Sequence, residues 1–176
     1  MANSEVLEGD EAYHDVEPVP RPLDYRMLHE PIRTLHTRPA PSLALGSRLS
    51  DAIREMQKQR VGCVMVVEGG RLVGILTERD ILYKVLGSGK DLGAVTVDAI
   101  MTRDPEVLTP EDAIAHALQK MSVGGFRHVP LVDAQHRPVG MLSVKDVVDW
   151  VTEFFPQHVL NVPPEPGRHA RQPEGG

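Results

Sequence analysis

Gly74-Ile-Leu-Thr-Glu-Arg-Asp80 recurs as Gly140-Met-Leu-Ser-Val-Lys-Asp146, and the two copies organise the whole chain. Sliding the sequence by 65 residues aligns 35–67 with 100–132 without a gap. The identities include Thr37/Thr102, Arg38/Arg103, Leu43/Leu108, Ala52/Ala117, Met56/Met121, Val64/Val129 and Val67/Val132. One extra residue in the Ala134–His136 turn moves the offset to 66, and pairing continues through Arg71/Arg137, Gly74/Gly140, Leu76/Leu142 and Asp80/Asp146. Thr77/Ser143 and Arg79/Lys145 keep their chemistry. Agreement at matched spacing over this length marks an internal duplication.

Periodicity supplies the elements within each copy. Leu49, Ala52, Ile53 and Met56 recur at the spacing of one helix face, and Ile114, Ala117, Leu118 and Met121 repeat it. Thr109-Pro-Glu-Asp112 has the composition of a capped start for the second of these helices. Leu43 and Leu108 sit in short strand-like pieces. Cys63–Val67 and Val129–Val132 are β-rich runs, followed by turns at Glu68-Gly-Gly70 and Asp133-Ala-Gln-His136. Strands over 71–76 and 138–142 then close two hairpins. Further helices are expected from about Glu78 to Leu86, stopped by Gly87-Ser-Gly89, and from about Val144 to Phe154, stopped before Pro156. The fold class is therefore α+β, with tandem β-α-β-β-α repeats. Neither half covers both faces of so small a sheet alone, so the halves should pack together with pseudo-twofold symmetry.

Composition sets the boundaries. Residues 1–26 form an acidic, proline-bearing stretch, with six acids and one base among residues 1–22, that solvates rather than packs. Repeat one is expected over 27–90, repeat two over 91–156, and a Pro/Gly-rich tail over 157–176. Both tails read as disordered. Net charge is −6, most of it in the first tail. A nearly neutral body with no basic stripe argues against nucleic acid as partner. The lone Cys63 excludes an internal disulfide and any CxxC zinc site. The longest apolar runs are far below the ~18 residues of a membrane span, and no secretory leader is evident, which makes the cytoplasm the expected compartment.

The Gly-to-Asp segments admit two readings. Thr77 and Ser143 are good helix N-caps, and Asp80 and Asp146 three positions later favour the positive helix end. The same geometry presents a hydroxyl and a carboxylate together, and an ionised Asp offers two acceptor oxygens suited to paired ribose hydroxyls. Gly74 and Gly140 remove a side chain where a ligand or neighbouring backbone could approach. A single copy favours the cap. Recurrence at equivalent positions favours the ligand.

Across roughly residues 27–155 the chain resembles a CBS-domain pair, or Bateman module. The resemblance rests on both Gly-to-Asp segments, on Ile100-Met-Thr-Arg-Asp-Pro105, on Val61-Gly-Cys-Val-Met-Val-Val67 and on Arg127-His-Val-Pro-Leu-Val132. It implies a regulatory module, not an enzyme, that binds an adenosine-containing ligand such as AMP, ADP or ATP and signals adenylate energy state to a protein target. Mg would enter only with ATP. It also implies a homodimer. Thr77 with Asp80, and Ser143 with Asp146, would hold ribose. Adenine would lie near Thr37–Pro41 and Thr102–Val107, and phosphate near Arg127 and His128, with Arg79 and Lys145 as further cations. Gly62-Cys63 replaces Arg127-His128 in repeat one, so the two clefts should be unequal, with Ser143 and Asp146 the better phosphate site, unless face-to-face packing lets Arg127 and His128 serve a ligand held mainly by repeat one.

The competing readings are a dimeric scaffold without a physiological nucleotide and a nucleotide hydrolase. The eight histidines show no metal-ligand spacing. Nothing resembles a nucleophile elbow or a Walker loop, and Gly87-Ser-Gly-Lys90 lacks the phosphate-loop spacing. No catalytic residue, metal ligand or required cofactor is expected. Trp150, Phe154 and Phe155 crowd the last helix as core, or else as a subunit contact.

Overall fold

The computed structural model describes residues 24–154. Two short 3-10 helices, Tyr25–His29 and Ile32–Thr34, precede the first repeat, which runs β1 (Ser42–Ala44), α1 (Leu49–Gln59), β2 (Cys63–Glu68), β3 (Arg71–Thr77) and α2 (Glu78–Lys84). A 3-10 helix at Val97–Ala99 opens the second: β4 (Thr102–Arg103), α3 (Ile114–Gly124), β5 (His128–Val132), β6 (Pro138–Ser143) and α4 (Val144–Thr152). The disordered stretches expected over 1–26 and 157–176 lie outside the described residues, apart from Asp24, Tyr25 and Arg26. There Asp24 caps the first 3-10 helix by accepting from the N–H of Arg26 at 3.0 Å.

The hairpins form where the sequence places them. Gly69 and Gly70 have φ of +55° and +79°, the left-handed pair that matches strand twist in a two-residue turn. In the second hairpin Asp133 organises the turn instead, its Oδ1 accepting from the N–H groups of Gln135 (3.0 Å) and Arg137 (2.8 Å). β1 lies parallel to β2 through Ser42↔Met65, Leu43↔Val66 and Ala44↔Val67. In the other half this strand is reduced to one parallel bridge, Leu108↔Leu131.

The two repeats exchange their leading segments. β4 of repeat two pairs antiparallel with β3 of repeat one, through Gly74↔Arg103 and Ile75↔Thr102. Reciprocally, Arg38 of repeat one bridges Met141 in β6. The exchange extends upstream, where Pro31 bridges Ala113 and Thr96 bridges Arg48. At these places Ile114 donates its N–H to Glu30 O at 2.9 Å, and Leu49 donates to Val95 O at 2.8 Å.

These bonds explain why α1 and α3 begin without side-chain caps, at Arg48 and Ala113. Each takes its first acceptor from the backbone crossing over from the other repeat, filling one of the orphan helix-end N–H groups. The capped start expected at Thr109–Asp112 is therefore corrected. Asp112 does accept from Thr109 N–H (2.6 Å) and Oγ1 (3.0 Å), but this closes a turn one residue ahead of the helix.

The cores follow the exchange. Ile32 and Leu35 pack with Leu108, Ile114, Ala117, Val129, Leu142, Trp150 and Phe154 of repeat two. Val97, Ile100 and Met101 pack with Leu49, Ala52, Met56, Val64 and Leu76 of repeat one. A third cluster joins the halves through Cys63, Met65, Leu72, Ile75, Val132 and Met141. Each fully buried aliphatic contributes roughly 1.5–3 kcal/mol, so the buried side chains of the crossing segments help to hold the two repeats together. Among the described residues no helix is long and apolar enough to cross a membrane.

Candidate functional site

Both Gly-to-Asp segments end a strand and start a helix, and both form complete capping boxes. Asp80 Oδ2 accepts from Thr77 N–H at 3.0 Å and from Thr77 Oγ1 at 2.7 Å. Asp146 Oδ2 accepts from Ser143 N–H and Ser143 Oγ, both at 2.7 Å. In return each hydroxyl oxygen accepts from the N–H of its aspartate, at 3.3 Å and 3.2 Å. The cap thus uses one carboxylate oxygen in each repeat and leaves Oδ1 for other work.

The two Oδ1 atoms have different surroundings. Asp80 Oδ1 is 2.7 Å from Lys84 Nζ, and Lys84 also donates to Ile100 O at 2.6 Å. Burial alone would raise the Asp80 carboxyl, but hydrogen bonds from Lys84 and Thr77 outweigh it and hold it below the usual carboxylate range. The residue matching Lys84 in repeat two is Trp150, which is buried and stacks edge-on against Phe154 at 5.3 Å. Asp146 is 5% exposed, and among the described residues nothing donates to its Oδ1.

Each pair borders a cavity completed by the other repeat. The larger, about 680 Å³, joins Ser143, Lys145 and Asp146 to Arg38, Pro39 and Ala40 of the crossing segment and to Arg60, Gly62 and Glu78 of repeat one. The smaller, about 430 Å³, joins Thr77, Arg79 and Asp80 to Thr102, Asp104 and Pro105, and to Gly125 and Phe126. Gly62, Arg127 and His128 line both. These volumes lie in the range of small-molecule sites.

The electrostatics also differ. Arg38, Arg60 and Arg127 reach the larger cavity from three separate elements, and none makes an ion pair or side-chain hydrogen bond among the described residues. Facing them are Glu78 and Asp146, while Lys145 is held by Asp149 at 2.6 Å. The smaller cavity holds Asp80, Asp104 and Glu106 against Arg79 and the shared Arg127. Burial pushes His128 below the usual histidine value, aided by Arg127, with Glu78 and Asp146 pulling the other way. Burial, then Glu78, pushes the Cys63 thiol up to about 12, which makes it an inert part of the wall.

The structure thus brings together Ser143, Lys145, Asp146, Arg127 and His128 in one cavity, and Thr77, Arg79, Asp80, Thr102, Arg127 and His128 in the other. Thr37, Gly74 and Gly140 line neither. A Cβ on Gly74 would lie 2.4 Å from Met101 Sδ, so this glycine admits the crossing segment, not a ligand. A Cβ on Gly140 would meet Leu131 of the same hairpin at 3.6 Å and Thr37 Oγ1 of the crossing segment at 3.8 Å, both ordinary contacts. Arg60 and Glu78 are cavity residues that sequence reasoning passed over, whereas Arg38 and Asp104 lie inside the Thr37–Pro41 and Thr102–Val107 stretches expected beside adenine. Arg38 carried a signal in its match to Arg103, and Arg60 takes a left-handed backbone, φ +54°, as the C-cap of α1. Among the described residues no group of three metal-ligating side chains converges.

A CBS-domain family model matches residues 32–87 and 97–153. The chain belongs to the CBS-domain family. Among curated relatives, the mitochondrial CBS domain-containing protein CBSX3 of Arabidopsis thaliana is 36% identical over 103 residues, covering 56% of this chain and 50% of that protein. The arabinose 5-phosphate isomerase KdsD of Pseudomonas aeruginosa is 36% identical over 109 residues, covering 61% of this chain and 33% of the isomerase. The CBS pair therefore spans half or less of the length of these relatives.

Among solved structures, the CBS-domain pair of protein MJ0100, in complex with 5′-methylthioadenosine and S-adenosyl-L-methionine, superposes with a TM-score of 0.61 at 27% identity. That match covers 69% of this chain and 98% of the other. The CBS domain protein PAE2072 of Pyrobaculum aerophilum, complexed with AMP, superposes with a TM-score of 0.63 at 26% identity, covering 72% and 98%. A tandem CBS pair of mixed α+β architecture is thus the fold.

Proposed function

We propose that this CBS pair is a regulatory, non-catalytic module that takes an adenosine-containing ligand in the Ser143–Asp146 cleft and transmits its occupancy to a protein partner. One observation carries the reading. A buried carboxylate with an uncommitted oxygen shares a cavity with three arginines that have no ion-pair partner among the described residues. Asp146 Oδ1 suits a ribose hydroxyl donor, and the guanidinium groups suit phosphate, which accepts paired N–H donors. Solved relatives that hold AMP, or methylthioadenosine and S-adenosylmethionine, give the same ligand class.

The cavity also supplies a route for signalling. Arg38 belongs to the crossing segment, Arg60 to the end of α1, and Arg127 to the start of β5. An anion held by all three ties the exchanged segment, repeat one and repeat two into one arrangement. A ligand shifts an equilibrium only by its differential affinity for two states, and this three-point grip provides that difference. Mg enters this scheme only as the companion of ATP.

Titration calorimetry with AMP, ADP, ATP and S-adenosylmethionine tests the proposal. Binding of at least one by the wild type, lost in Asp146→Asn, is the expected result. The asparagine keeps an oxygen for the Ser143 cap but replaces Oδ1 by a donor. Failure of every ligand to bind would sink the reading.

A homodimer is part of the same reading. Leu82 in α2 and Val148 in α4 occupy matched positions and are 55% and 53% exposed, so the pseudo-twofold places equivalent apolar groups on the outer helices. If Leu82→Glu with Val148→Glu leaves the sedimentation coefficient unchanged, this assembly is wrong. Should the assembled chain capture the same partners whether or not Asp146→Asn is present, the scaffold reading would replace ligand sensing.

A further inference from the structure

We infer that Lys84 is an internal competitor for the smaller cleft, so that the chain takes one phosphate-bearing adenosyl ligand rather than two. The inference rests on the ribose role given above to the aspartate of each Gly-to-Asp segment. It starts from a difference that the duplication makes visible. Asp80 and Asp146 occupy equivalent positions and bind their cap residues identically through Oδ2. Only Asp80 has a cation on Oδ1, the Lys84 ammonium at 2.7 Å.

Lys84 is well placed to stay. It stands one helical turn after Asp80, on the same face of α2, where i,i+4 pairs meet. Its ammonium is also held by Ile100 O at 2.6 Å, a carbonyl just ahead of β4 in the segment that crosses from repeat two. The Asp80 side chain is 12% exposed and the Lys84 side chain 43%, so the ammonium keeps some contact with water and is held in place by its two protein oxygens, Asp80 Oδ1 and Ile100 O. A ribose hydroxyl arriving at this aspartate meets a carboxylate whose charge is already neutralised and whose second oxygen is already engaged. In repeat two the equivalent residue, Trp150, turns into the core and leaves Asp146 open.

The shared wall strengthens the asymmetry. Gly62, Arg127 and His128 border both cavities, and repeat one offers only Gly62-Cys63 where repeat two has Arg127-His128. A phosphate drawn to Arg127 from the larger cleft leaves the smaller one with Arg79 facing Asp104, while Glu106 is held by Lys120. The smaller cleft therefore offers a ribose aspartate already engaged by Lys84, with Arg79 as the one cation that belongs to it alone.

Titration calorimetry with AMP on the whole chain provides the test. The wild type should bind one equivalent, abolished by Asp146→Asn. Lys84→Met and Lys84→Gln should each gain a second equivalent, within about tenfold of the first in affinity. Lys84→Arg, which keeps the cation, should stay at one. The Lys84→Met/Asp146→Asn double variant should retain one equivalent, which assigns the gain to the Thr77 cleft. Two equivalents of similar affinity in the wild type, or none gained by either the Met or the Gln variant, would overturn the inference. A wild type that binds no AMP beside a Lys84→Met chain that binds one would refute the reading of the larger cleft and uphold the role of Lys84. No binding by any of them refutes both.

Discussion

Ile32 donates its backbone N–H to the carbonyl of Asp112 at 2.9 Å, and Val97 makes the same bond to Ser47 at 2.9 Å. The two bonds are related by the duplication, yet each joins one repeat to the other. Segments read in sequence as the start of a repeat are thus, in space, part of its neighbour's core. This has a direct consequence for stability. Ile32 is fully buried among repeat-two residues. Ile32→Ala should cost about 2–5 kcal/mol in urea unfolding, as expected for a core Ile-to-Ala change. Amide exchange should then quicken first around Ile114–Leu118 and not around Leu49–Met56, even though Ile32 lies nearer to the latter in sequence.

The two signature glycines should respond unequally to a methyl group. At Gly74 the added Cβ meets Met101 Sδ at 2.4 Å and Cγ at 3.1 Å, and Met101 is itself buried. Gly74→Ala should destabilise by about 1–3 kcal/mol, the usual cost of overpacking. At Gly140 the nearest atoms are 3.6 Å and 3.8 Å away, ordinary contact distances. Gly140→Ala should therefore be neutral or slightly stabilising, because it also removes glycine's backbone entropy. Thermal melts of the two variants give the comparison. Equal losses would mean that the crossing segments fit the two strands alike.

What could be read from the sequence follows a physical line. The duplication, both hairpins and both capping helices were legible because each rests on local pattern: Gly69-Gly70 in a turn, or Thr77 and Asp80 at cap spacing. The exchange of leading segments was not, since Pro31↔Ala113 and Arg38↔Met141 are long-range pairings that leave no mark on local periodicity. The same gap accounts for the site. Thr77, Asp80, Ser143 and Asp146 were legible as cavity-lining residues because the motif contains them, and Arg38 fell within an expected site stretch, whereas Arg60 reaches the larger cavity only through the end of α1. Of the two approaches open to the signature glycines, ligand or neighbouring chain, Met101 of the crossing segment takes the space at Gly74, whereas Gly140 keeps room for a methyl group.

His128 and Asp80 should make stability respond to pH in two stages. The folded value of His128 lies below the ordinary histidine value, so between the two the unfolded chain binds the extra proton. Stability from this group is present above about pH 6.5 and declines as pH falls below it. Asp80, held below the carboxylate range, contributes above its unfolded value near 3.8 and loses that contribution as pH drops through its folded value. Urea midpoints measured from pH 8 to 3 should fall first below about 6.5 and again below about 4. In His128→Gln the upper decline should disappear while the lower persists. A profile unchanged by the substitution would show that the His128 environment is already relaxed.

Ligand charge should separate the roles of the cavity's arginines. If Arg38, Arg60 and Arg127 hold phosphate, Arg60→Ala should weaken ATP or AMP binding by about tenfold or more, since a charge-assisted bond contributes roughly 1.5–3 kcal/mol. Adenosine, which lacks phosphate, should lose little. Asp146→Asn should weaken both, because the ribose is common to them. Raising salt should reduce nucleotide affinity in the wild type and do so less in Arg60→Ala, which has one cation fewer to screen. Binding should also be accompanied by proton uptake as pH falls through the histidine range, because a bound anion offsets the Arg127 charge that helps lower His128, and calorimetry in two buffers of different ionisation enthalpy would detect it. Equal losses of adenosine and nucleotide in Arg60→Ala would instead mean that Arg60 shapes the cavity wall without contacting phosphate.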